Sequence, residues 1–232
     1  MIRIQNVVFV GVFITVAVCF MGLAHVISVR QSPGFHLEKM LINQDNRIAR
    51  AYFSPDDKLA SLLKGLIDAE TKSILVSIYT ITDKNVVNAF IDASKRGVLV
   101  ECVVDPSYGS DRYSQVYQLA NAQVGVWSYR SAADERQSSL MHNKFCVFED
   151  SIGNRPLVWT GSYNFTKRAN ERNQENIVIL DDKEIVDRYR KHFEILKDRS
   201  LQISGKVQAH NRSTTKTEPS WFDRLKTLTR MF

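Results

Sequence analysis

The sequence predicts an α/β protein: a layered α/β/α domain built on a mixed, largely parallel sheet, preceded by an N-terminal hydrophobic segment. Three observations point there. From Ser73 to Tyr129, short β-branched apolar runs alternate with stretches of helical period, the pattern of a sheet whose strands are joined by crossover helices. Gly97 stands between one helical stretch and the next strand, where a helix stop belongs. The 232 residues are 44% apolar, enough for one core of ordinary size with extra segments and too much for a chain disordered throughout.

Taken in order, residues 1–30 come first. From Ile4 to Val29 no residue carries a formal charge apart from a protonated His25, and Val7 to Val29 is long enough to cross a bilayer. The apolar run continues past Gly22-Leu23-Ala24, which favours an uncleaved transmembrane anchor over a cleaved signal, with the cleaved signal as the alternative. Arg3 and Arg30 flank it evenly, so charge does not orient it. Residues 31–46 are polar with Pro33 and Gly34 and read as a connector. A folded domain is expected over residues 47–200.

Within that domain, Ser54-Pro55-Asp56-Asp57 reads as a capped helix start, followed by Leu59, Leu62, Leu63 and Leu66 at helical spacing. Ser73 to Ile81 reads as a buried strand. Asp83 to Arg96 is an amphipathic helix, and Val98 to Val104 a further strand. Ser110 to Ala122 reads as helical and Val124 to Tyr129 as a strand. Ser131 to Ser139 is polar and reads as a mobile loop over the segment that begins at Met141. Glu175 to Leu180 is expected to complete the sheet and Lys183 to Lys197 to form a long helix. Residues 201–232 form a basic tail with linker composition over Ser204 to Ser220. Beyond it, Trp221, Leu225, Leu228 and Phe232 would share one side of a short helix, suited either to a membrane surface or to packing on the domain.

The net charge is +6, and from Lys197 onward eight basic residues face three acidic ones, so +5 of it lies in the tail. A basic tail attracts nucleic acid or anionic lipid and is equally often only solvated, so it does not choose a substrate. Cys19, Cys102 and Cys146 lack C-x-x-C spacing. Two of them sit in apolar strand runs and read as buried thiols.

The chemistry concentrates between Met141 and Asn176. His142-x-Lys144 places an imidazole and an ammonium two residues apart in an extended run, hence on one face and within reach of one phosphate. A second apolar run, Leu157 to Thr160, ends in Gly161-Ser162-x-Asn164, which offers close backbone approach, a hydroxyl and an amide donor. Glu175 opens a third run and could orient an imidazole. Singly, these pieces are an exposed strand face and a turn. Together, in this order and each at the end of an apolar run, they describe a phosphate site. Lys167, Arg168 and Arg172 follow the asparagine and either track neighbouring phosphates or form a solvated loop. There is no H-E-x-x-H, no acidic pair flanking the motif and no Cys/His cluster, so neither a metal nor a cofactor is expected.

The constellation resembles the phospholipase D superfamily, whose signature is H-x-K-x4-D followed by G-S-x-N. It is most similar to the one-motif members, the bacterial Nuc-type endonucleases and the mitochondrial Zucchini-type proteins, with the layout matching from about Ala51 to about Leu196. Glu149 occupies the signature's aspartate position, with Asp150 behind it, and the resemblance implies that this acid braces the strand end. It also implies a homodimer in which two copies of His142 face one phosphate, one as nucleophile and one as acid. Lys144 and Asn164 would hold the non-bridging oxygens, Ser162 would support them and Glu175 would orient imidazole. The expected activity is phosphodiester hydrolysis, on nucleic acid by the resemblance. A membrane phospholipid such as cardiolipin is the alternative substrate, and a silent membrane adaptor the alternative class. The protein is expected to be membrane-anchored or exported: periplasmic or secreted if bacterial, on an organelle membrane if eukaryotic.

Overall fold

The computed structural model describes residues 33–109, 114–130 and 140–204. The hydrophobic segment over residues 4–29, the loop over 131–139 and the tail beyond 204 lie outside them. Among the described residues no helix is long and apolar enough to cross a membrane.

Eight strands form one sheet in the order β1-β7-β6-β5-β2-β3-β4-β8. They are β1 (Ala49–Ser54), β2 (Ser73–Ile78), β3 (Leu99–Val104), β4 (Gly125–Tyr129), β5 (Lys144–Ile152), β6 (Arg155–Gly161), β7 (Glu175–Leu180) and β8 (Ser200–Gln202). The helices are α1 (Pro33–Leu41), α2 (Leu59–Ala69), α3 (Lys84–Lys95), α4 (Pro106–Gly109), α5 (Val116–Asn121), α6 (Lys167–Glu171) and α7 (Lys183–Asp198). The α/β/α layering is as expected. One core packs α1, α2, α3 and α5 on one face of the sheet, through Leu37, Leu63, Phe90 and Leu119 against Val76, Cys102 and Trp159. A smaller one lies under α7, where Val186, Phe193 and Leu196 meet Val103, Phe145, Val147 and Val158.

The sheet is mixed, as expected, but its balance differs. Only β2–β3 and β3–β4 pair in parallel, while the other five pairings are antiparallel. Parallel neighbours need a crossover helix, which α3 and α5 provide; β5 and β6 are joined by a tight turn, which permits only the antiparallel sense. β7 lies inside the sheet, and β1 and the unexpected β8 form its edges.

Two local readings change for physical reasons. Residues 33–41, read as connector, are helical, and Leu37 and Leu41 are buried in the larger core. The expected helix start at Ser54 is the end of β1: the Ser54 hydroxyl donates to the carbonyls of Ala169 and Asn173 (2.8 and 3.1 Å) instead of capping. The helix begins only at Leu59, after Lys58 at φ 48°. Asp83 does cap α3, accepting from the Asn85 N–H at 2.9 Å.

Between β5 and β6 the chain makes a two-residue turn, Gly153-Asn154. Gly153 and Asn154 both have positive φ (53° and 61°), the backbone that a two-residue hairpin demands. The irregularity sits in β5 between Phe148 and Ile152. Glu70 holds it there: this buried carboxylate accepts from the Asp150 N–H and the Ser151 hydroxyl while also taking the N–H groups of Thr71, Lys72 and Ser73. A buried carboxylate costs several kcal/mol unless its lone pairs are filled, and here both oxygens are.

Candidate active site

The site forms where β2, β5, β6 and β7 end side by side. Lys144 opens β5 opposite Ile78 of β2, so the residues just beyond β2 meet those just before β5. His142 is exposed and Lys144 is 8% exposed. The Lys144 ammonium donates to the His142 carbonyl at 2.8 Å and lies 3.2 Å from His142 Nδ1. The expected shared face of these two residues is therefore present, with the lysine as its floor. Burial lowers the Lys144 pKa from its ordinary value, and the nearby Glu175 carboxylate opposes that shift.

The Gly-Ser-x-Asn segment leaves the neighbouring strand end. At Gly161 a Cβ would sit 2.1 Å from the Asn176 carbonyl oxygen, so only glycine permits the approach of β6 to β7. The Ser162 hydroxyl donates to Glu175 at 2.6 Å and accepts from the Asn176 N–H at 3.0 Å. The Asn173 amide donates to the other Glu175 oxygen at 2.9 Å. Glu175 is thus engaged with Ser162 and Asn173, and its expected partner, the His142 ring, is not among those hydrogen bonds. The backbone of Phe165 is stitched to the segment after β2, donating to the Thr80 carbonyl and accepting from Thr82 and Asp83. That places Asn164 beside the end of β2. Its Oδ1 is buried without a donor among the described residues.

Glu149 and Asp150 lie away from this cluster, further along β5. Glu149 accepts from Arg190 of α7 at 2.9 and 2.7 Å. Asp150 accepts from Thr71 and from the Asn154 N–H. Lys167, Arg168 and Arg172 are exposed on and just after α6. Lys167 pairs loosely with Glu171 at 3.8 Å, and Arg168 reaches Asn173, the residue that holds Glu175. Among the described residues, no three His, Cys, Asp or Glu side chains converge as a metal site.

The motif reading missed several neighbours. Tyr79 packs edge-on against the His142 ring, centroids 4.4 Å apart, with the Lys144 ammonium 5.2 Å from its ring centre. Asp105, wholly buried, accepts from the Met141 N–H at 2.8 Å. Asn143 meets His192 of α7 at 3.4 Å. The available signal was positional: Tyr79 and Asp105 follow the ends of parallel strands, where open α/β sheets hold their ligands.

Comparison with known proteins identifies the family. The family model described as "Cardiolipin synthase, PLD-like domain" matches residues 62–197. A phospholipase D of Rickettsia bellii is 30% identical over 137 residues, covering 59% of this chain and 63% of that one. A mitochondrial cardiolipin hydrolase of Xenopus laevis is 33% identical over 141 residues, covering 61% of each. The chain therefore spans about three-fifths of the length of these curated relatives. Nuc from Salmonella typhimurium, a phospholipase D family member of known structure, superposes with a TM-score of 0.59 at 25% identity, covering 68% of this chain and 99% of Nuc. A family match over more than half of the chain, on the strand ends where the H-x-K and G-S-x-N residues converge, makes this protein a member of the phospholipase D superfamily, among those with a single H-x-K motif.

Proposed function

We propose that the protein is a phosphodiesterase that cleaves nucleic acid without a metal ion, through a phosphohistidine formed on His142 in a site shared by two chains. The observation that carries it is the exposed His142 ring with the buried Lys144 ammonium 3.2 Å from its Nδ1. Phosphoryl transfer needs a nucleophile, an acid for the leaving oxygen and fixed positive charge for the non-bridging oxygens. His142 Nε2 attacks phosphorus as the bond to the leaving oxygen breaks; the partner's His142, protonated, gives that oxygen its proton. Water then cleaves the N–P bond and frees the imidazole. Lys144 and Asn164 hold the non-bridging oxygens, and Ser162 with Glu175 stiffens the loop that carries Asn164.

The tautomer matters. Facing the Lys144 ammonium, Nδ1 accepts, so a neutral ring in this position carries its proton on Nε2. Attack through Nε2 requires the proton on Nδ1, so the attacking ring has to turn Nδ1 away from the ammonium. In a paired site the two rings would divide these roles, and their pKa values would belong to the pair.

Lys167, Arg168 and Arg172 beside the asparagine support a polyanionic substrate. A second reading, hydrolysis of a phospholipid, is favoured by the names of the relatives and by Leu140, 53% exposed two residues before His142. The apolar segment at residues 4–29 supports placement at a membrane, anchored or exported, under either reading.

The test is to incubate the full-length protein in excess EDTA with single-stranded DNA, duplex DNA, RNA and cardiolipin-containing vesicles. Nucleic acid should be cut and an acid-labile, base-stable phosphoenzyme trapped, absent in His142→Asn. Hydrolysis of vesicles alone would sink the nuclease reading, and loss of all activity restored by a divalent ion would sink metal independence.

A further inference from the structure

We propose that Asp105 is a positioning residue for the reaction, a buried clamp that sets where His142 stands; the role rests on His142 being the nucleophile. Asp105 follows the end of β3 and is 0% exposed. Its two oxygens serve two different segments. Oδ1 accepts from the Ser107 N–H at 2.9 Å at the start of α4, and Oδ2 accepts from the Met141 N–H at 2.8 Å. Met141 immediately precedes His142 and is itself 2% exposed.

A second, independent contact holds the same residue. Ser77 of β2, also 0% exposed, directs its hydroxyl to the Met141 sulfur at 3.1 Å. Met141 is thus held by main chain and side chain from two strands. The consequence reaches the reacting groups over a short span of chain. With the Met141 N–H fixed, only the backbone torsions of Met141 and His142 separate that anchor from the His142 carbonyl, two peptide units on, which is the acceptor for Lys144 at 2.8 Å. The imidazole is thereby offered at one height above the buried ammonium.

The choice of carboxylate over amide has a physical reason. Both groups presented to Asp105 are donors, and a carboxylate accepts at each oxygen. Asparagine would set its NH2 against one of the two N–H groups, leaving a buried donor unpaired. Glu70 gives a built-in comparison, a second buried carboxylate that gathers backbone N–H groups, but at the distant irregularity of β5.

The experiment uses the full-length chain with bis(p-nitrophenyl) phosphate, a diester too small to depend on nucleic-acid or lipid contacts. Asp105→Asn should lower kcat roughly 10- to 100-fold, as small misplacements of reacting groups do, with KM unchanged. Glu70→Gln should lower the thermal midpoint and leave kcat at the wild-type level. Residue-resolved amide exchange should find the Met141 N–H protected in wild type and exposed in Asp105→Asn. If Asp105→Asn does not fold, Ser77→Ala, which loosens only the Met141 side chain, takes its place with a smaller fall in kcat and the same unchanged KM. Wild-type kcat in a folded Asp105→Asn, an equal kcat loss in Glu70→Gln, or unprotected Met141 N–H in wild type would each overturn the clamp. His142→Asn separates the two ideas: full activity in that variant removes the nucleophile assignment, whereas the Met141 exchange result stands by itself.

Discussion

Lys144 is a side chain whose burial disfavours its charge and whose charge the proposed chemistry uses. Its pKa is lowered, chiefly by burial, so the folded chain releases its proton before the unfolded chain does. Between the lowered value and 10.5 the unfolded state binds more protons, and this residue's contribution to stability rises with pH through that window. Activity moves the other way, because only the ammonium can hold a phosphate oxygen. The alkaline limb of kcat/KM should therefore fall below pH 10.5, measured on a small diester. Lys144→Met should lose roughly 10²–10³ in kcat, about 3 kcal/mol, as should Asn164→Ala, each removing one group aimed at the transition state. Lys144→Met should nonetheless resist urea at neutral pH at least as well as wild type. A large fall in its unfolding midpoint would show that the ammonium is chiefly structural.

At the scale of elements, the site depends on how closely strand ends approach one another. Gly161 is the tightest point, with the Asn176 carbonyl where a Cβ would be. Gly161→Ala should cost about 3 kcal/mol or more, since a backbone atom cannot swing aside as a side chain can. Urea unfolding measures it, and a loss within error of zero would mean that β6 and β7 leave room for a methyl group at this point. Cys102 and Cys146 flank Val76 across three adjacent strands. Burial pushes the Cys102 thiol up to about 12 and the Cys146 thiol well above its ordinary value. Neither should react with a thiol reagent in the native chain at neutral pH, and both should react in denaturant; mass spectrometry of the labelled peptides distinguishes them from Cys19.

For the whole molecule, the decisive question is whether one chain makes a site. The motif supplies one histidine and the proposed chemistry uses two, so a closed two-fold pair should bring both His142 rings to one phosphate. Mixing wild type with folded His142→Asn under free subunit exchange should lower activity as the square of the wild-type fraction, to about a quarter at equal mixing. Independent sites would leave about half, by the same pairing arithmetic. Exchange is confirmed with two affinity tags before the comparison is made. A linear titration would point to an acid within the same chain, with Glu175 and His192 the groups to replace first.

The sequence by itself determined the α/β class, the spans of β3, β4, β7 and α7 to within a residue or two, and the motif side chains, because each depends on local period or on chemistry carried by neighbours in the chain. His142-x-Lys144 shares a face in any extended strand, and Asp83 caps a helix with atoms two residues away. Tertiary structure decided what depends on partners far along the chain. The Ser54 hydroxyl went to carbonyls more than a hundred positions away and not to a helix cap. Glu70 holds the irregularity in β5 from 80 positions away. Sheet sense followed from which connections crossed over, something no run of apolar residues encodes. Asp105 and Tyr79 joined the site only because β2, β3 and β5 lie together, with 36 positions of chain between Asp105 and the backbone N–H it holds. Hydrogen bonds at such separations leave no period in the sequence, which is why the motif residues were legible and the distant groups that contact them were not.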